Sequence, residues 1–272
     1  MLPLLLAVVS MAAAPGAAGP ANPGYDFARS LAHAGRRPAA SAAERRAHTR
    51  VARGFRRAGL SVVTSRFRVP GKGRSRNVIG VYDRPGRCLR IVMAHTDSMP
   101  QTAGAIDNAS GVGVLVALAP RLRATKPRCD VWLVATGAEE RNYTGRPNHL
   151  GASALLRRVE RRGRAKDLRI ALSLDEVGRG RSFHLRSNAR GVRRKVEKPV
   201  LRAVRRAGGH ARWVRDSGTG NSDHREFQLA GLPAAKLGQP DNLCRHQPCD
   251  RARLLQPGTF RLVRRAVERL LG

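Results

Sequence analysis

The amino-acid sequence predicts a single α/β domain with a mixed, mostly parallel β-sheet flanked by helices on both faces. Apolar runs rich in Val, Ile and Leu alternate with longer amphipathic stretches, the pattern of strands joined by helices. Several runs are apolar throughout, as expected for strands that are buried on both faces. The 272 residues, 42% of them hydrophobic, suffice for one core of ordinary size and require no second domain.

The first part of the chain is predicted to be helical and then extended. Apolar residues recur at steps of three and four over 23–60, where Ser41 and Glu44 form a capping box and Gly59 ends the pattern. Strand-like stretches separated by Pro-Gly turns follow at 61–69, 77–83 and 87–94. We expect two or three antiparallel strands here.

Helices and strands alternate through the rest of the chain, which favours the α/β class. Helices are predicted at 109–123, 149–163, 196–207 and 260–271, with a short helix opening at 222–224. Strands are predicted at 131–135, 168–174, 183–185 and 233–238.

Basic residues greatly outnumber acidic ones, with 52 Lys and Arg against 19 Asp and Glu and a net charge of +33. Nearly all of the basic residues are Arg, and they are spread along the whole chain. Aromatic residues make up only 4%, which leaves few platforms for stacked bases. We therefore expect no specific nucleic-acid partner, although the charge predicts non-specific adhesion to polyanions.

The N-terminal residues 1–20 resemble a secretory signal peptide, because a short apolar stretch is followed by Pro, Gly and other small residues. The stretch is too short to span a bilayer. It carries no Lys or Arg at its start, so a misassigned start or an apolar leader is the alternative. We expect residues 21–272 to be one secreted or periplasmic domain, monomeric and without a membrane span.

The four cysteines are an even number, which fits an oxidising compartment. Cys244 and Cys249 are close enough in sequence to bridge a loop. Cys88 and Cys129 each precede a predicted strand, so a bond between them requires those two strands to be neighbours. The alternative is four free buried thiols.

Acidic and imidazole side chains stand where predicted strands end. His95 and Asp97 follow one strand, Glu139 and Glu140 the next, and Asp175 a third. Ligands of open α/β sheets gather outside the carboxyl ends of the strands. We therefore expect these side chains to share one crevice.

Together with two loop residues, this set suits a hydrolytic centre for two zinc ions. Asp107 would bridge the ions through its two carboxylate oxygens. His95 and Asp175 would complete one ion, and Glu140 and His246 the other, with a position left open for water.

The two remaining acids suit catalytic roles. Glu139 precedes a predicted ligand, so its side chain diverges toward the water and can act as general base. Asp97 lies two residues after His95 and can set the tautomer of the imidazole.

Seven short segments that carry these residues run in the order of a known family. They are 77–80, 94–98, 104–111, 137–140, 174–178, 222–224 with Phe227, and 244–250. In this order the sequence resembles the co-catalytic zinc aminopeptidases of peptidase family M28, most of all the small secreted bacterial type. The likeness extends from about Tyr25 to the C-terminus.

The resemblance implies a zinc-exopeptidase, phosphorylase/hydrolase-like fold and removal of the N-terminal residue from a peptide or protein. It also implies the ligands and catalytic residues named above, and a disulfide between Cys244 and Cys249. The sequence departs from the family's pattern in two places: Arg245 stands where that subgroup often has Tyr, and 141–148 inserts a polar loop.

The same residues allow other interpretations. Asp107 or Asn108 is a natural helix cap, and the other acids could be ordinary turn residues. His224 is either a supporting residue or a ligand, whereas His149, His184 and His210 lack acidic partners in the sequence and are expected to be structural or exposed. The alternative functions are a glutaminyl-cyclase-like aminoacyltransferase, which works with a single zinc, a carboxypeptidase, and a catalytically altered basic binding protein.

Overall fold

The computed structural model describes residues 21–84, 88–140, 149–216 and 221–272, and a mixed sheet of eight strands organises this part of the chain. The strands are β1 Ser61–Val69, β2 Gly73–Tyr82, β3 Leu89–His95, β4 Asp130–Thr136, β5 Leu168–Leu174, β6 Ser182–Ser187, β7 His210–Arg215 and β8 Ala234–Gly238. Their order in the sheet is β1-β2-β4-β3-β5-β8-β6-β7. The central run from β4 to β8 is parallel, and β6 and β7 are parallel to each other. This is the predicted α/β fold.

Helices cover both faces of the sheet. Those of six or more residues are α1 Pro23–His33, α2 Ala42–Arg57, α3 Ser110–Leu118, α4 Leu150–Arg161, α5 Glu197–Arg206, α6 His224–Leu229 and α7 Pro257–Leu271. Side chains along each central strand alternate between two cores: Leu133 packs with residues of α1, α2, α3, α5 and α7, while Val134 packs with residues of α4 and α6. Strands buried on both faces explain the apolar runs in the sequence.

The helical stretch at 23–60 is two helices, because Gly35 adopts φ 90° and Pro38 precedes the start of α2. Ser41 caps α2 by accepting from the Glu44 amide at 3.1 Å. The Glu44 carboxylate accepts from the Ala40 amide at 2.8 Å. The predicted capping box is thus shifted by one residue on its carboxylate side.

Two antiparallel strands, rather than three, precede the strand that ends at His95. β1 pairs with β2, but β4 lies between β2 and β3, so the third strand enters the parallel centre. The edge strand β7 was not predicted. Arg and His occupy half of its six positions, which hides its apolar signal.

The structure contains the expected disulfide Cys244–Cys249 and also Cys88–Cys129, which the sequence left open. The Cys88–Cys129 bond satisfies the stated condition, since β3 and β4 are neighbours and the Asp130 amide donates to the Cys88 carbonyl oxygen at 3.0 Å. None of the described helices is long and apolar enough to cross a membrane. The signal-peptide prediction and the polar loop at 141–148 lie outside the described residues.

Candidate metal centre

The ends of three neighbouring parallel strands bring the predicted acids and imidazole together. His95 is the last residue of β3, and Asp175 directly follows β5. Glu139 and Glu140 follow β4 after a two-residue turn. All four side chains are buried, so the crevice at the carboxyl ends of the strands is the one that the sequence predicts.

Asp107 reaches the crevice from the turn before α3, where the Asp107–Asn108 peptide bond is cis. The side-chain contact at the start of α3 comes from Asn108, whose side-chain oxygen accepts from the Gly111 amide at 2.9 Å. The backbone amides of Ile106 and Asp107 donate to the Asp250 carboxylate at 2.7 and 3.0 Å. The Asp107 carboxylate is therefore not needed as a cap and is directed at the centre.

The two carboxylate oxygens of Asp107 face two different imidazoles. His95 Nε2 lies 3.1 Å from Oδ1, and His246 Nε2 lies 3.3 Å from Oδ2. Asp175 Oδ1 is 3.5 Å from His95 Nε2, and Glu140 Oε2 is 3.0 Å from His246 Nε2. The structure thus brings together two triplets that share Asp107, and in each the donor atoms lie within 4.8 Å of one another.

The donor set fits divalent cations. Asp175 Oδ1 is buried and accepts no hydrogen bond within the described residues, a state that is costly unless a cation satisfies the oxygen. Contacts with Asp107 and Glu140 raise the pKa of His246 to about 10. The carboxylates therefore favour positive charge at the point between them, and imidazole and carboxylate donors in such triplets suit zinc.

The second imidazole shows the same preference for a cation. Burial alone would lower the pKa of His95, but Glu139, Asp107 and Asp175 raise it well above its usual value. Its Nδ1 donates to the Asp97 carbonyl oxygen at 3.2 Å, which directs Nε2 at the centre. The main chain of Asp97 therefore sets the ring orientation.

The Asp97 carboxylate is used mainly elsewhere. Its Oδ1 is 3.7 Å from His95 Nδ1, whereas its oxygens accept from the Glu139 amide at 3.1 and 3.0 Å and from the Glu140 amide at 3.1 Å. Asp97 thus holds the turn that presents both glutamates, a role that the sequence prediction did not include.

Glu139 lies at the mouth of the centre. Burial raises its pKa well above the usual value, and Glu140 and Asp175 add to this rise while His95 opposes it. A carboxylate with a raised pKa has a higher affinity for a proton. The site thus places a suitable proton acceptor beside the two triplets.

His149 contacts two acids, so the expectation that it lacks acidic partners is wrong. Its Nε2 lies 3.4 Å from Glu139 Oε1, and its Nδ1 lies 3.2 Å from Glu226 Oε1. Glu226 belongs to α6, far along the chain, so sequence proximity could not indicate the contact. The His149 ring thus lies between the carboxylates of Glu139 and Glu226.

His224 lies outside both triplets, and its Nε2 donates to Asp216 Oδ2 at 2.8 Å. Its neighbour Asp223 accepts from Thr136 Oγ1 at 2.6 Å, beside His95 in the β3–β4 register. This arrangement favours the supporting role of His224 over that of a ligand. His184 accepts from Arg212, and His210 is exposed on the edge strand.

Arg37 shapes the loop between His95 and Asp107, and no feature of the sequence indicates this. Its buried guanidinium donates to the carbonyl oxygens of Thr96, Ala103 and Gly104 at 2.9, 2.7 and 2.9 Å. Burial lowers its pKa to about 10, and Asp97 opposes the shift. The side chain stays cationic and holds the loop by its backbone.

Replacing Arg37 with Met is expected to lower the free energy of unfolding by ~3–5 kcal/mol, because buried carbonyl groups lose their donor. Urea denaturation followed by circular dichroism measures the change. Arg29→Met, on the exposed side of α1, is the matched control and should stay within about 0.5 kcal/mol of wild type. Equal stability of the two variants would contradict the structural role of Arg37.

A cleft of about 540 Å³ opens in front of the centre, lined among others by Glu139, Glu140, His149 and His246. Arg245 also lines it, with its Nε 3.6 Å from Asp107 Oδ2. Arg245 stands where the resembling subgroup often has Tyr. Its guanidinium therefore lies within reach of a molecule bound in the cleft.

Most of the chain matches one known protein family. Residues 77–271 match the family model described as Peptidase family M28. No curated protein sequence matches the chain.

Solved structures share the fold. An aminopeptidase from Aneurinibacillus sp. strain AM-1 superposes with a TM-score of 0.80 at 17% identity, covering 91% of this chain and 92% of that one. A zinc aminopeptidase from Bacillus subtilis gives a TM-score of 0.76 at 16% identity, covering 90% and 93%. A glutaminyl cyclase from Bacteroides thetaiotaomicron gives a TM-score of 0.75 at 19% identity, covering 92% and 96%.

Proposed function

The chain belongs to peptidase family M28 and is a metallopeptidase, and from this we propose that it is a secreted zinc aminopeptidase that removes N-terminal residues from peptides or proteins. The observation that carries the proposal is the Asp107 carboxylate, whose two oxygens face His95 and His246. Secretion is supported by the two disulfides. We propose a monomer, in keeping with the sequence prediction.

The two triplets would hold two zinc ions. His95, Asp107 and Asp175 would bind one ion, and Asp107, Glu140 and His246 the other, so Asp107 would bridge them. Zinc ions in such a centre lower the pKa of water and polarise the scissile carbonyl group.

The protein's own residues would manage the proton. The Glu139 carboxylate accepts a proton from the attacking water while the water oxygen bonds to the carbonyl carbon. When the C–N bond breaks, Glu139 returns that proton to the departing amine. Asp97 holds the Glu139 amide and His149 contacts its carboxylate, so both keep the base in place.

The glutaminyl-cyclase-like alternative shares the fold, as the Bacteroides structure illustrates. That reaction is expected to use a single zinc ion. Two triplets joined by Asp107 favour hydrolysis instead.

Zinc analysis and peptidase assays test the proposal directly. Purified protein loaded with zinc is expected to hold about two ions per chain and to cleave aminoacyl amides until a chelator removes the metal. N-terminally blocked peptides are the matched control and should be resistant. Zinc content near zero after loading would refute the metal centre, and cyclisation of N-terminal Gln without hydrolysis would favour the transferase.

A further inference from the structure

A second cavity, of about 330 Å³, adjoins the cleft at the metal centre. Arg245 and Asn221 line both spaces, and Glu176, directly after Asp175, lines the second. An N-terminal residue whose carbonyl group lies at the centre would have this cavity beside it for its side chain. The inference that follows therefore rests on the proposed function.

The wall formed by β6 and β8 is cationic. Arg186 pairs with Lys236 across the two antiparallel strands, so their side chains leave the same face of the sheet. Lys236 Nζ is buried and lies 2.8 Å from Asp175 Oδ2 and 3.4 Å from Glu176 Oε2. The charge of Lys236 is thus already paired with Asp175 and Glu176.

Arg186 has no such ion pair among the described residues. It is half-buried, contacts the His184 ring at 3.4 Å, and forms no ion pair with any residue that the structure describes. The lining holds two acids: Glu176 is already held by Lys236 and by the Asn242 side-chain amide at 2.9 Å, and Asp241 forms no ion pair with Arg186. Arg186 therefore offers a guanidinium to a ligand.

Arg245 adds a second guanidinium at the junction of the two spaces. Its Nε is buried and lies 3.6 Å from Asp107 Oδ2, but it makes no hydrogen bond within the described residues. Among the described lining residues apolar surface is scarce: the larger apolar side chains are Pro240 and Leu243, and Leu243 is 96% exposed. An aliphatic side chain would gain little from this cavity, whereas a carboxylate would find two guanidinium groups.

We infer that the cavity receives the side chain of the substrate's N-terminal residue and selects an acidic one, Glu or Asp, through Arg186 and Arg245. A carboxylate matches the planar donor array of a guanidinium, and the neutral amide of Gln, of nearly the same shape, does not. The substrate class is therefore peptides that begin with an acidic residue.

Matched substrates test this selection. Zinc-loaded protein is assayed with Glu, Gln and Leu amides of the same fluorogenic amine, and kcat/KM for Glu is expected to exceed that for Gln at least tenfold. Arg186→Gln should reduce the Glu-to-Gln ratio about tenfold. Arg265→Gln removes the same charge from the exposed face of α7 and should leave the ratio unchanged.

Three outcomes would overturn the inference: Leu or Gln amides cleaved as well as Glu amides, an unchanged ratio in Arg186→Gln, or a preference for free dipeptides over amides whatever the first residue. The last would mean that the cations bind the C-terminal carboxylate. If no substrate is cleaved, the proposed function fails. Titration calorimetry then measures separately whether the cavity binds an acidic amino acid. Tighter binding of L-glutamate than of L-glutamine would support acidic selection, and equal binding would exclude it.

Discussion

Replacing Glu139 with Gln is expected to lower kcat by about 10²- to 10⁴-fold while the protein keeps its zinc. The amide preserves the shape of the side chain and its neighbours but cannot accept a proton from water. The buried position of Glu139 and its raised pKa fit a residue that alternates between charged and neutral forms.

Zinc content and turnover are measured on the same preparation, with Glu160→Gln on the exposed side of α4 as the control. The two measurements distinguish a general base from a metal ligand. This distinction is needed because His95, Glu139 and Glu140 also lie within metal-binding reach of one another. Loss of one zinc ion in Glu139→Gln would make Glu139 a ligand. Full activity would remove it from the mechanism.

Replacing Asp107 with Asn is expected to reduce bound zinc from about two ions per chain to fewer than one, and to abolish turnover. The amide keeps one oxygen but presents an NH2 group in place of the other, so it cannot serve both triplets. Contacts with His246 and His95 outweigh burial and lower the pKa of Asp107, which favours the charged carboxylate that two cations could share.

Metal analysis at equal protein concentration measures this loss, and Asp83→Asn, an exposed change of the same chemistry, is the control. Far-ultraviolet circular dichroism should be the same for both variants. Two tightly bound zinc ions in Asp107→Asn would contradict the bridging role.

The sequence was sufficient for the residues whose position follows from the end of a strand. His95 and Asp175 are placed by the ends of β3 and β5. An apolar run that stops at a polar residue predicts the end of a buried strand. Asp107 was harder because a helix cap explains it equally well, and only the structure shows that Asn108, not Asp107, contacts the Gly111 amide at the start of α3.

Contacts between distant segments could not be predicted. Arg37 is one of many arginines, and only packing reveals that it holds Ala103 and Gly104. His149 meets Glu226 because α4 and α6 lie on the same face of the sheet. Strand β7 could not be predicted either, because an edge strand is half-exposed and needs no continuous apolar run.

The two disulfides stand in different relations to the chemistry of the protein. Cys88 precedes β3 by one residue, and His95 ends that strand, so this bond lies roughly 20 Å of strand away from the metal centre. Cys249 and Cys244 instead enclose the segment that carries Arg245 and His246. Chemical reduction therefore acts in two separable ways, on the durability of the sheet through one bond and on the zinc ligand and substrate cleft through the other.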